Sequence, residues 1–261
     1  MSDPVFYGKP LTFNPRNHRY TWDGQHVPSV TTILWRLDKP ALIQWAADCA
    51  VEHIRKTPDF TKIDWEAARK AHATIRDEAG DVGTIVHKYA RAVLEAKGDR
   101  QALDGLTLPL DVAGTQALKA IAAFEAWMQT HKIEPVAVER RVFSQRFMYA
   151  GTLDFTGRID DELSLLDFKT GNDVYDEAWF QMGGYDDALT EEHEWQDIFG
   201  DSDTPRLAHW IIHLDKNTGE FAAYRRGPEE TLAARKVWRA LVGLDKCIRE
   251  MPKMPRTKRA A

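Results

Sequence analysis

Asp154, Asp167 and Lys169 fall in one stretch, YAGTLDFTGRIDDELSLLDFKTG, at positions 149 to 171. Its flanks read as two β-strands around a polar Asp-Asp tip. A turn centred on Asp160-Asp161 sets Asp154 directly opposite Asp167. Opposed residues of an antiparallel pair lie roughly 4.5 to 5.5 Å apart, with both side chains on one face. Two carboxylates that close repel each other. Lys169 shares a face with Asp167 through the period of two, yet one ammonium is a poor sole partner for two half-buried acids. A divalent cation with oxygen ligands, Mg²⁺ or Mn²⁺, fits better. The bland alternative is an ion-pair cluster on a solvated sheet face.

Two further spacings point toward the same place. GTIVH sets Gly83 and His87 one helical turn apart, so that the helix can approach a sheet while the imidazole points the same way. QMGGY does this for Gln181 and Tyr185, with two glycines mid-helix at a cost of roughly 1 kcal/mol each. Singly, His87 reads as a core histidine and Tyr185 as a core aromatic; the ordered set asks for more.

The succession GTIVH, GTLD, DFK and QMGGY resembles the RecB-like branch of the PD-(D/E)XK nucleases over about residues 80 to 190, and VPSVTTIL is similar to the start of phage and mitochondrial exonucleases of that branch. The resemblance implies that His87, Asp154, Asp167 and the Phe168 carbonyl hold one or two Mg²⁺ or Mn²⁺ ions. Lys169 would orient or deprotonate the attacking water, and Gln181 and Tyr185 would hold the DNA backbone and brace the site. The implied activity is metal-dependent hydrolysis of DNA from its ends in recombination, repair or degradation, alongside a recombinase or a single-strand-binding protein. An endonuclease on the same core, a non-catalytic DNA-binding module and an RNA substrate stay open. Asp167 stands where the pattern often has Glu. The iron-sulfur subgroup is excluded, because only Cys49 and Cys247 are present. Both are expected to be buried, reduced thiols.

Around these residues, Glu139 in VAVERRVF has two roles open to it: partner of a basic residue, or contributor to a second metal site. Arg140, Arg141 and Arg146 are candidates to line a groove for phosphates. Ser29, Thr31 and Thr32 either donate to a phosphate or cap a helix. His18, Tyr20 and Trp22 either stack on unpaired bases or form a hydrophobic cap.

The elements that must position them follow from periodicity. LTFNPRNHRYTWDGQHV reads as a hairpin around Asp23-Gly24. Helices are predicted from Pro40, with Leu42, Ile43, Ala46, Ala50 and Ile54 as an apolar stripe, from Trp65 to Lys97 with Gly98 as its stop, and from Leu118 to Gln129. Three strands follow Pro135, then a helix over DEAWFQMGGYDDALTEE, a hairpin closed by Asn217-Thr218-Gly219, and a helix from Pro228 to about Met251. That order predicts an α/β fold with a mixed sheet flanked by helices and extended by an N-terminal hairpin and helices. The expected organisation is one nuclease domain: residues 1–75 packed on a core of residues 76–250, with a basic tail at 251–261. The 261 residues, 43% hydrophobic and 29% charged with a net charge of −5, suffice for one large core. No membrane span or secretory signal is visible, so the expectation is a cytoplasmic protein. A Gly-rich nucleotide loop is missing as well.

Overall fold

In a computed structural model that describes residues 3–96, 111–192 and 207–252, the chain opens with a four-stranded antiparallel sheet: β1 (Val5–Phe6), β2 (Lys9–Asn14), β3 (Arg19–Trp22) and β4 (Gln25–Val27). The turn at Asp23-Gly24 forms as expected, with φ of 50° and 74°. The sheet is larger than the predicted hairpin because residues 15–18 turn β2 back along β3, and Tyr7-Gly8, with φ of 51° and 76°, makes a further tight turn that adds β1. Ser29 then caps the short α1 (Val30–Leu34), its Oγ accepting from the Thr32 N–H at 3.0 Å. The Ala150 N–H donates to the Pro28 carbonyl, which ties this region to the main sheet.

Pro40 opens α2 (Pro40–Arg55), and α3 (Trp65–Ala96) runs unbroken through Gly80 and Gly83. The predicted stop at Gly98 lies outside the described residues, as does the tail beyond Pro252. The predicted helix forms, but its apolar stripe lies largely open: Leu42 and Ile43 are 52% and 74% exposed, and of the helix only Cys49 is buried. A helix resting mainly along one neighbour, here α3, covers one narrow edge and leaves the rest to solvent. Cys247, expected to be buried, is exposed.

After α4 (Val112–Met128) come β5 (Ile133–Ser144), β6 (Tyr149–Ile159), β7 (Glu162–Lys169), α5 (Asp176–Glu191), β8 (Ala208–Leu214), β9 (Phe221–Arg226) and α6 (Pro228–Glu250). The strands form one five-stranded sheet in that order, parallel between β7 and β8 and antiparallel elsewhere. Because α5 lies between two parallel neighbours, it must cross over one face of the sheet. The expected mixed sheet flanked by helices is the architecture observed.

One face of the sheet buries Tyr149, Leu153, Leu165 and Ile211 beneath α5 and α6; the other buries Phe155, Leu166, Phe168 and Ile212 beneath α3 and α4. Each fully buried large side chain contributes about 1.5–3 kcal/mol of transfer free energy, so two covered faces supply the bulk of the driving force. Gly183 and Gly184 let α5 close on α6, where a Cβ would stand 2.7 Å from Ala234 and Trp238 atoms. Among the described residues no helix is long and apolar enough to cross a membrane.

Candidate metal centre

The Asp160-Asp161 tip adopts positive φ at both residues, 49° and 67°, and pairs Phe155 with Leu166 and Ile159 with Glu162. That is the register expected, and it carries Asp154 to the level of Asp167. Main-chain pairing between β6 and β7 stops one step short of the two aspartates. Instead, Asp154 Oδ2 accepts the Phe168 N–H at 2.8 Å, so a carboxylate replaces a strand in the ladder. On the other side, Val138–Phe155 and Arg140–Leu153 are partners, which places Glu139 level with Asp154. Three acids therefore run in a row across β5, β6 and β7.

Glu139 has a φ of 47°, in the left-handed region, inside a strand. For a residue with a Cβ this costs about 1–2 kcal/mol, and such outliers collect at working sites. The kink coincides with a change of side along both strands. Val142 and Leu153 pack under α5 and α6, whereas Val138 and Phe155 pack under α3 and α4.

His87 reaches the row from α3. Its Nδ1 lies 3.3 Å from Asp154 Oδ1 and 3.6 Å from Glu139 Oε1. One donor atom each from His87, Glu139 and Asp154 falls within 4.8 Å of the others, a separation a single ion can span. Gly83, one turn earlier, clears the approach, since a Cβ there would meet Thr170 Oγ1 at 3.3 Å. The edge of the imidazole also faces the buried Phe168 ring.

The electrostatics show a site short of positive charge. Burial pulls the His87 pKa down, but Asp154 and Glu139 outweigh it and raise it well above the usual imidazole value. Burial pushes Asp154 up, yet His87, the Phe168 N–H and Lys169 bring it below the usual carboxylate value. Asp167 ends at about 6, raised by burial and by repulsion from Asp154 despite the pull of Lys169. The acids around His87 thus favour its protonated form.

On the α5 side, Lys169 Nζ lies 2.5 Å from Asp167 Oδ2 and donates to Gln181 Oε1 at 3.0 Å. The Gln181 amide donates in turn to Asp167 Oδ1 at 3.1 Å and to the Tyr185 hydroxyl at 2.9 Å. One glutamine thus fixes an acid, a lysine and a phenol. Burial, with Asp167 and Asp154 adding to it, lifts the Tyr185 pKa well above the ordinary phenol value.

Beside the metal group opens a cleft of about 400 Å³, with Glu139 at one end and residues of β2 and β3 at the other. Ser29, Thr31, Arg141 and Tyr185 line it. Arg140 does not, because strand alternation turns it to the buried Glu192, which it meets at 2.6 Å. Arg146 also stays outside: its main-chain N–H donates to Glu191 and its guanidinium stacks on Phe147. Trp22 belongs to the hydrophobic cap, stacked on Phe143 with its indole N–H on the Phe6 carbonyl.

Sequence reasoning put Glu139 behind the site or at a second ion, whereas the structure sets it beside His87 and Asp154, in one group that could hold a single ion. The omission has a physical source. The connection from Gln145 to Met148 carries no turn signature that would have given the β5–β6 register. Arg91, one turn after His87 and lining the cleft, was passed over although its spacing was readable. No protein-family model matches the chain, and no similar curated protein is found.

Proposed function

We propose that the protein is a metal-dependent DNA exonuclease with a PD-(D/E)XK core. The observation that carries this reading is the row of Glu139, Asp154 and Asp167 across three strands, with His87 above it and Lys169 at its end. A binding protein gains nothing from abutting carboxylates where a phosphate is to lie, since they repel it unless a cation intervenes. The end of β6–β7 pairing at the two aspartates and the four ordered motifs support the assignment, and action from ends follows from the same resemblance.

The donor set suits a divalent ion. Carboxylates fit Mg²⁺ or Mn²⁺, and the imidazole nitrogen favours Mn²⁺. When bound, such an ion would acidify a coordinated water and act as a Lewis acid toward the phosphate. His87, Glu139, Asp154 and Asp167 hold the negative and neutral donors in place for it. Lys169 adds positive charge against the developing phosphorane, held there by Asp167 and Gln181. Tyr185 stays a neutral phenol and, with Gln181, keeps the lysine from swinging away.

The test is incubation of the purified protein with linear double-stranded, linear single-stranded and circular single-stranded DNA, each with Mn²⁺, Mg²⁺ or EDTA. Metal-dependent loss of linear forms alone is the expected result, abolished by Asp154→Ala, Asp167→Ala or Lys169→Ala. Cleavage of circles would replace the exonuclease with an endonuclease, and no cleavage in any arm would overturn the catalytic reading.

A further inference from the structure

We infer that the cleft beside the metal group takes a single unpaired nucleotide of a DNA strand, its base against Phe13 and His18 and its phosphates toward Arg91 and Arg141. This rests on the nuclease reading above and names the strand state that the site would accept.

The aromatic residues of the N-terminal sheet divide into two sets. Trp22 stacks on Phe143, and Tyr20 is 5% exposed with its hydroxyl bonded to Thr152 at 2.7 Å, so both serve packing. Phe13 is half-buried, packed on Tyr20 with ring centroids 4.7 Å apart, and His18 meets it edge-on at 5.9 Å. Phe13 and His18 line the cleft. They form a small corner of rings, one held in the sheet and the other exposed in the β2–β3 turn.

Cations flank that corner. Arg141 lies over the Phe13 ring at 5.9 Å, braced by the Leu11 carbonyl and Asp3. Arg91 stands one turn beyond His87 on α3 and lines the cleft, its Nε held by Glu95 at 2.9 Å, so that it presents a positioned guanidinium to a phosphate near the metal group. Rings for a base, guanidiniums for phosphates and a metal group at one end match the parts of a nucleotide in order. A cleft of about 400 Å³ has room for one nucleotide. A base laid against the Phe13 and His18 rings is an unpaired one, so a paired end would have to fray before its terminal residue took that place.

The experiment uses the full chain in EDTA, where binding is read without cleavage. Anisotropy of end-labelled single-stranded DNA is compared with that of a blunt duplex, for wild type, Phe13→Ala/His18→Ala and the conservative Phe13→Trp. A fluorescent base analogue at the strand end reports stacking. Wild type is expected to favour the single strand and to quench the analogue. The double alanine variant should lower the single-strand to duplex affinity ratio about 10-fold and lose the quench, a size typical of one stacked base, whereas Phe13→Trp keeps both. An unchanged ratio in the alanine variant, or an unquenched analogue on wild type, would overturn the subsite. Metal-dependent cleavage alongside either result would leave the nuclease standing, whereas absence of any DNA binding or cleavage would remove both.

Discussion

The Tyr185 ring fills the space that a side chain on Gly151 would need: a Cβ on Gly151 would stand 2.5 Å from Tyr185 Cε1 and 3.1 Å from Val30 Cγ2. The glycine of GTLD is thus explained by a phenol from QMGGY, two motifs far apart in the chain. Gly151→Ala should displace Tyr185, lower stability by about 1–3 kcal/mol as overpacking does, and depress cleavage. Urea unfolding together with the rate on linear DNA checks it; unchanged values in both would mean that the ring moves aside freely.

Binding of Mn²⁺ should release protons. His87 is held protonated by Asp154 and Glu139 in the metal-free site and must give up that proton to coordinate through Nδ1. Metal affinity therefore rises with pH until the raised imidazole pKa, which lies well above the ordinary 6.5, is passed. Calorimetric titration in buffers of differing ionisation enthalpy measures the release directly, and Glu139→Gln should weaken binding and reduce the protons released.

Asp167→Asn should stabilise the metal-free protein at neutral pH while abolishing cleavage. The Asp167 carboxyl is raised in the fold from 3.8 to about 6, so its contribution is fully present below pH 3.8 and is lost as pH rises through about 6. Above that, ionised Asp167 costs the fold on the order of 3 kcal/mol, a penalty that asparagine does not carry. Denaturant midpoints in EDTA at pH 5 and pH 8 test the sign: the gain from Asp167→Asn is larger at pH 8. Added Mn²⁺ should return stability to the wild type at that pH.

Gln181→Ala should separate positioning from metal binding. Without the amide, Lys169 and Tyr185 lose a shared partner, while His87, Glu139 and Asp154 keep their arrangement. A drop in kcat of about 10²-fold is expected, on the scale that a misplaced group produces. Mn²⁺ affinity should change far less. Equal losses in both would make Gln181 part of the metal site itself.

The Asp160-Asp161 turn was legible because a two-residue tip fixes the register of every residue after it. His87 and the Gln181–Tyr185 pair were legible from helical spacing, which says which side chains travel together. The alignment of Glu139 was hidden, because the Gln145–Met148 connection leaves the β5 register open and the left-handed φ of Glu139 breaks the alternation on which strand reading depends. The same alternation separates Arg140 from Arg141, and composition alone treats them as a pair. On α2, an apolar stripe announced a need for cover without saying whether a neighbour exists to meet it.

The two jaws of the cleft differ mechanically. The α5 jaw is clamped: Gly183 and Gly184 press main chain against Ala234 and Trp238, and the Tyr149 hydroxyl holds the Gly184 carbonyl at 2.7 Å, so the helix has no room to roll or slide. The opposite jaw is the four-stranded N-terminal sheet, seated on β5 and β6 through a buried cluster of Phe6, Leu11, Tyr20 and Val27 against Phe143 and Ala150, and fastened by the Pro28–Ala150 bond and the Tyr20–Thr152 contact. The Gln181–Tyr185 brace thus sits on the clamped side, and the shape of the entrance is shared between Phe13, His18 and Tyr20 of the N-terminal sheet and Arg91 and Arg141 beside it.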